Sequence, residues 1–210
     1  MAGGDAALMQ VVRAIGAKDV GAATRLLRAD PQLAVASVEV GATRQDAEPY
    51  LFKLINHYVY AGDTALHMAA AAHRPELVET LLELGADVAA SNRRGAQPLH
   101  YAADGAPGSK GWDPEGQAAV ITALIAAGAD PDATDKSGVA PLHRAVRTRC
   151  AEAVRALLEA GADPNLKNRS GSSPMKLATQ TTGRGGSGSP VAREQQAMIV
   201  EILESRRARP

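Results

Sequence analysis

The side chains with the widest chemical reach in this sequence are its histidines, and they fall into two groups. His67, His100 and His143 each close the same kind of motif: Thr64-Ala65-Leu66-His67, Gln97-Pro98-Leu99-His100 and Ala140-Pro141-Leu142-His143. His57 and His73 stand outside it. His57 lies in the apolar and aromatic run Tyr50-Leu51-Phe52-Lys53-Leu54-Ile55-Asn56-His57-Tyr58-Val59-Tyr60. Proton transfer would draw on His57, Tyr58, Asp63 and His73, with arginines holding an anion. No spacing among them identifies a reaction, and both free histidines equally fit an ordinary surface role. There is no His-x-x-x-His motif and no cysteine pair, so no metal site and no cofactor are expected. Cys150, the lone cysteine, follows Arg147-Thr148-Arg149. Those arginines would activate its thiol if it were accessible. The other reading is a buried small apolar residue.

Bulk properties limit what these residues serve. The chain has 210 residues, 45% of them hydrophobic, 22% charged and only 3% aromatic. So few aromatics imply a core of packed helices with small side chains. Formal net charge is zero, so no global field draws the chain to nucleic acid or to an anionic membrane. No apolar run approaches the roughly 20 residues that span a bilayer. The opening Met1-Ala2-Gly3-Gly4-Asp5 lacks a basic stretch followed by an apolar one, which predicts no signal peptide. One cysteine excludes an intramolecular disulfide and fits a reducing compartment, so a cytoplasmic chain is expected.

Internal repetition sets the architecture. Gly62-Asp63-Thr64-Ala65-Leu66-His67 leads to Leu81-Leu82-Glu83-Leu84-Gly85-Ala86-Asp87. Gly95-Ala96-Gln97-Pro98-Leu99-His100 leads to Leu124-Ile125-Ala126-Ala127-Gly128-Ala129-Asp130, and Gly138-Val139-Ala140-Pro141-Leu142-His143 to Leu157-Leu158-Glu159-Ala160-Gly161-Ala162-Asp163. A fourth copy opens at Gly171-Ser172-Ser173-Pro174-Met175-Lys176. The period is about 33 residues, with about ten inserted in the second unit. Thr64 suits a helix N-cap; Pro98, Pro141 and Pro174 suit a first helical turn; Gly85, Gly128 and Gly161 suit a left-handed helix end. Leu77/Val78 with Leu81/Leu82, Val120/Ile121 with Leu124/Ile125, and Val154 with Leu157/Leu158 give each second helix one buried face.

In period and motif the chain resembles the ankyrin-repeat family, most closely over residues 62–170. The resemblance implies an all-α solenoid of paired helices with β-hairpin-like fingers: about three full repeats plus capping units. The expected division of a single domain, 1–210, is a capping unit with a long finger (1–61), repeats at 62–94, 95–137 and 138–170, and a C-terminal capping repeat (171–210). Apolar residues at 8–15 and 20–27 form a degenerate first helix pair, and Met198, Ile199, Ile202 and Leu203 a last helix. Arg206-Arg207-Ala208-Arg209 is expected to be a solvated tail. For His67, His100 and His143 the resemblance implies a structural hydrogen bond tying turn to helix. His73-Arg74 departs from the family's usual Gly-His.

The resemblance also implies a concave groove lined by Tyr60, Asp63, Ala71 and Ala72, then Arg93, Arg94, Asp104 and Gly105, then Lys136, Ser137, Arg147 and Thr148, and last Arg169, Ser170 and Gln180. In a neutral protein that face is basic, and arginine forks suit carboxylates and phosphates. The first expectation is a binding module for a protein partner or an anionic ligand, without chemistry. The alternative is a small-molecule pocket or enzyme built from the concentrated Tyr, His, Arg and Trp. Nucleic acid and membrane are not expected partners.

Two glycine-rich stretches interrupt the pattern: Asp104–Pro114, with the single tryptophan Trp112, and Thr181–Pro190, with Arg184. Neither has nucleotide-loop spacing, and each is either a flexible linker or a shaped ligand loop. Both follow the first helix of their repeat, so both emerge at the end opposite the finger tips. Ten extra residues reach up to about 30 Å, enough for the loops to meet over the third repeat. This predicts one site there, with Trp112 as apolar wall, Arg147 or Arg149 as anion anchor, His73 and Arg74 at the same level, and Gly183 to Ser189 as closing loop.

Overall fold

The structure is a computed structural model and describes residues 3–180 and 189–207. Its helices come in pairs: α1 (Gly3–Gly16) with α2 (Val20–Ala29), α3 (Ala65–Ala71) with α4 (Pro75–Glu83), α5 (Pro98–Ala102) with α6 (Pro114–Ala126), α7 (Pro141–Thr148) with α8 (Ala151–Glu159), and α9 (Pro174–Thr179) with α10 (Pro190–Arg207). First helices stack on first helices and second on second, each pair touching mainly its neighbours, as a one-dimensional repeat array requires. The fold is the all-α solenoid expected from the repeats. Arg206 belongs to the last turn of α10, not to a tail, because the apolar stripe ending in Ile199 and Leu203 carries the helix that far. Residues 208–210, including Arg209, lie outside the described residues.

The local chemistry explains the elements. Thr64 Oγ1 accepts the His67 amide and so caps α3; Pro98, Pro141 and Pro174 open their helices, where a missing N–H is harmless. Gly85, Gly128 and Gly161 end the second helices at φ 86°, 97° and 94°, a region open to glycine without strain. Leu77, Val78 and Leu81, Val120, Ile121 and Leu124, and Val154, Leu157 and Leu158 are all buried. Full burial of such side chains contributes about 1.5–3 kcal/mol each.

The three shared histidines lock each turn to the next unit. The Nδ1 atoms of His67, His100 and His143 accept from the backbone N–H of Thr64, Gln97 and Ala140 at 3.1, 3.2 and 3.2 Å. With Nδ1 accepting, Nε2 carries the proton and donates to the carbonyls of Ala96, Val139 and Ser172 in the following repeat. Burial holds all three pKa values below the usual range, that of His100 at about 4.

Between α2 and α3 the chain makes two short 3-10 turns, Pro31–Ala34 and Glu48–Tyr50, and a small hairpin of β1 (Leu51–Phe52) against β2 (His57–Tyr58). This hairpin folds back onto the first helices. Phe52 packs so closely on Gly16, at the end of α1, that a Cβ there would fall 2.2 Å from the ring. His57 packs on Tyr101 of α5.

Candidate functional site

Three clusters contain the residues singled out by type. The first is the row of finger tips. Adjacent fingers are joined by backbone hydrogen bonds: Arg93 N to Ala61 O at 2.8 Å, Lys136 N to Arg94 O at 2.9 Å and Arg169 N to Ser137 O at 3.2 Å. Inside each finger one short polar side chain fixes the loop. Asn92 Oδ1 accepts from Arg94 and Ala96, Asp135 Oδ1 from Ser137 and Val139, and Asn168 Oδ1 from Ser170 and Ser172. The backbone bonds to Asp135, with the charge of Arg144, hold its carboxyl below the usual range although burial opposes this.

The leading glycines make room for the next finger. At Gly138 (φ 69°) an added Cβ would lie 2.9 Å from Arg169 N and 3.0 Å from Arg169 Cγ; at Gly95 (φ 76°) it would lie 3.0 Å from Lys136 N and 3.1 Å from Lys136 Cγ. The stem of each cation therefore leans over the glycine of the finger before it. Arg93 and Arg94 instead gather on Tyr60, with guanidinium carbons 5.5 and 5.0 Å from its ring centre, and Arg93 also donates to the Ala42 carbonyl. Lys136 Nζ donates to Arg93 O at 2.8 Å. Arg93, Arg94, Lys136 and Arg169 are exposed, and no tip position 93, 94, 136, 137, 169 or 170 carries an acid.

The second cluster lies under the hairpin. The Asp63 carboxylate, fully buried, accepts from Tyr60 N at 2.7 Å, Asn92 Nδ2 at 2.8 Å and the Tyr101 hydroxyl at 2.8 Å. Burial first, and then the Asp63 charge, raises the Tyr101 pKa well above the usual value. Half-buried His57 lies against Tyr101, and burial lowers its pKa although Asp104 and Asp63 pull the other way. Arg144 reaches Asp104 at 2.9 Å and Asp135 at 3.4 Å, with its guanidinium carbon 6.0 Å from the Tyr101 ring centre. Burial opposes its charge, but Asp104, Tyr101 and Asp135 together outweigh this and raise its pKa.

The catalytic quartet is not assembled here. His57 and Asp63 share Tyr101, but Tyr58 is on the exposed side of β2. His73 is elsewhere: its Nε2 donates to Asp104 O at 3.0 Å, and burial lowers its pKa to about 4. His73 thus has the packing reason that its motif hides, because it holds the start of the inserted loop. Asp63, with three donors, is occupied as an acceptor. Tyr101 and Arg144 were not among the sequence candidates. Both follow the shared histidine, in Leu99-His100-Tyr101-Ala102 and Leu142-His143-Arg144-Ala145, and a large polar residue in a run otherwise buried and apolar is the signal that finds them.

The third cluster is at the end opposite the fingers. The first insertion crosses this end. Gly108 approaches Val191 and Ser189, where an added Cβ would be 3.6 and 3.9 Å away. Gly111 O accepts from Lys18 Nζ at 3.3 Å, and Asp113 faces Arg74 at 4.0 Å. The insertion thus reaches the start of α10, but the single site expected there is divided. Lys18 and Arg74 draw the Trp112 end toward the first units, so Trp112 does not wall the space beside Arg147 and Arg149. That space is a cleft of about 160 Å³ lined by Val146, Arg147, Arg149, Leu177, Ala178, Gln180, Gln196 and Ile199. Arg184 and residues 183–188 of the expected closing loop lie outside the described residues. Cys150 is fully buried, and burial raises its thiol pKa to about 11, which decides for the inert reading. Among the described residues no group of acids, histidines and cysteine is placed to hold a metal ion.

Family models for ankyrin repeats match three overlapping stretches. Residues 66–107 and 124–178 match models of ankyrin repeats in many copies, and residues 94–136 match the single ankyrin repeat. The chain is an ankyrin-repeat protein. No curated protein matches it. Ankyrin repeats generally act as protein-binding modules. Among the described residues no helix is long and apolar enough to cross a membrane.

Proposed function

We propose that this chain is a cytoplasmic, non-catalytic binding module for a protein partner that presents an acidic extended segment to the finger tips. The observation that carries the reading is the row Arg93, Arg94, Lys136 and Arg169, exposed and free of acids, on fingers tied to one another by backbone bonds. The fingers are already ordered, so binding loses little loop entropy. Stacked helices repeat at about 8–10 Å, and an extended strand rises about 3.3 Å per residue. Acids three residues apart in the partner therefore match cations one repeat apart. The groove below offers the partner little in its first half, because the chain's own hairpin lies on α1 and α5. A catalytic role fits less well, since Asp63 already accepts from three donors.

The test is a titration of labelled peptides with Glu at every third position, against sequence-scrambled acidic and against basic controls. Preferential binding of the spaced acidic peptide, weakening as salt rises and lost in Arg94→Glu/Lys136→Glu, is expected. Equal binding of acidic and basic peptides, or full affinity in the charge-reversed variant, would sink the reading.

A further inference from the structure

Arg149 occupies a backbone position that ordinarily suits glycine. It ends α7 at φ 62°, ψ 43°, the left-handed helix end that costs a non-glycine side chain some energy. Its side chain is not spread into solvent. The residue is only 4% exposed, and Nη1 is buried with no hydrogen-bond partner among the described residues. A buried guanidinium N–H left unpaired is costly. The same turn recurs between the paired helices at Lys18 (φ 60°) and His73 (φ 52°) and so serves the stack; the unpaired Nη1 of Arg149 does not.

The surroundings indicate what relieves that unpaired group. Arg149 lines the cleft of about 160 Å³ between α7, α9 and α10, and exposed Arg147 lines it too. Among the described residues no acid lines the cleft. Val146, Leu177, Ala178 and Ile199 supply an apolar wall, and Gln180 and Gln196 supply amides. The walls are fixed: Gln196 Nε2 donates to Ala178 O at 2.6 Å, and Gln195 Oε1 accepts from Ala151 N at 3.0 Å, pinning α10 to α9 and α8. An apolar cavity of roughly 150 Å³ takes a benzene-sized molecule.

We propose that this cleft binds a small apolar carboxylate, anchored by Arg149. The carboxylate takes the guanidinium N–H groups, and its hydrocarbon body rests on Val146, Leu177 and Ile199. The site is independent of the finger row, at the other end of the stack.

The experiment is calorimetric and thermal-shift titration of the full chain with benzoate, benzyl alcohol and inorganic phosphate. Benzoate is expected to bind saturably at one site and raise the Tm. The neutral alcohol, lacking the charge, should bind roughly tenfold or more weakly, and phosphate, lacking the apolar body, should also be weaker. Arg149→Met should abolish benzoate binding and raise the Tm of the ligand-free protein, an effect opposite to that of removing a structural arginine. Arg94→Glu should leave benzoate binding unchanged. Should Arg149→Met fail to fold, side-chain nitrogen NMR of the unaltered protein serves instead: benzoate must shift the Arg149 guanidinium resonances. No saturable benzoate binding, equal binding of alcohol or phosphate, unchanged binding in Arg149→Met, or an Arg149 signal unmoved by benzoate overturns the proposal.

Discussion

The imidazole of His57 lies 4.2 Å from the ring centre of Tyr101, tilted by 52°, and this contact seats the first finger on the second repeat. Behind it the Tyr101 hydroxyl donates to the buried Asp63 carboxylate and accepts from Asn92 Nδ2 at 2.9 Å. One side chain therefore links the hairpin, the first repeat's turn and the second finger. Tyr101→Phe keeps the ring under His57 but leaves Asp63 one donor short and Asn92 without one acceptor. The expected cost is about 1–3 kcal/mol, read as a lower urea midpoint at unchanged slope. An unchanged midpoint would mean that water replaces the hydroxyl fully and that the network does not hold the finger.

Stability should fall on acidification, starting in the pH range where free imidazole protonates. His73 and His100 are held at about pKa 4 in the folded chain, against 6.5 for the free group. Their folded values are depressed, so the unfolded chain binds more protons between those two pH values. The stability they contribute is complete above about pH 6.5 and is lost as pH falls toward 4. A shift of that size corresponds to about 3 kcal/mol per histidine at the lower end. Burial is the main cause, and at His100 the charge of Arg144 adds to it. Chemical unfolding at pH 7, 5.5 and 4.5 measures the slope. His100→Ala should flatten it and cost about 1–3 kcal/mol at neutral pH, while binding of acidic peptide by the folded protein survives.

The repeat was legible in the sequence because each glycine, proline and histidine of the motif has a single stereochemical task at one place. Gly138, Pro141 and His143 are where those tasks fall. The inserted loop's path was half legible. Chain length allowed it to reach the last unit, and Gly108 does, but nothing local told that Lys18 and Arg74 would hold its other end. The hairpin was the larger omission. Residues 51–58 have neither the helical nor the alternating period, and their resting place on Gly16 and Tyr101 is a tertiary contact between segments without shared pattern. Arg149 was legible by its neighbours and its type; that its Nη1 has no partner among the described residues depends on tertiary packing that no local pattern encodes.

Gly138→Ala probes whether the finger row is a rigid array. At φ 69° alanine is strained, and its Cβ would press on Arg169 N and Cγ. Both effects act on the contact between the third and fourth fingers. We expect a loss of about 1–3 kcal/mol, with amide exchange at Arg169 speeding up more than at Arg93. Uniform exchange along the fingers would show that the tips do not depend on one another.

Gly105→Ala tests how tightly the first insertion is seated. Gly105 has no unusual backbone angle, so the effect of a Cβ there is steric alone. That Cβ would lie 2.5 Å from Cys150 Sγ, 3.2 Å from Gln117 Nε2 and 3.3 Å from Gln117 Oε1. Gln117 cannot retreat without loss, because its Nε2 donates to Ala102 O at 2.9 Å and Asp104 O at 3.2 Å. Cys150 is fully buried and cannot swing out. Overpacking of this kind costs about 1–3 kcal/mol. Removing the sulfur in Cys150→Ala leaves a small void that the new methyl can enter. The double variant should therefore be more stable than the sum of the single losses, with a coupling of about 1 kcal/mol. The thiol gives an independent readout. Buried and with a pKa near 11, it should resist a disulfide reagent in the native protein and react within the unfolding transition. In Gly105→Ala, where the insertion is pushed away, it should react under native conditions. Strict additivity together with a thiol still closed in Gly105→Ala would show that the insertion yields freely and does not cover Cys150.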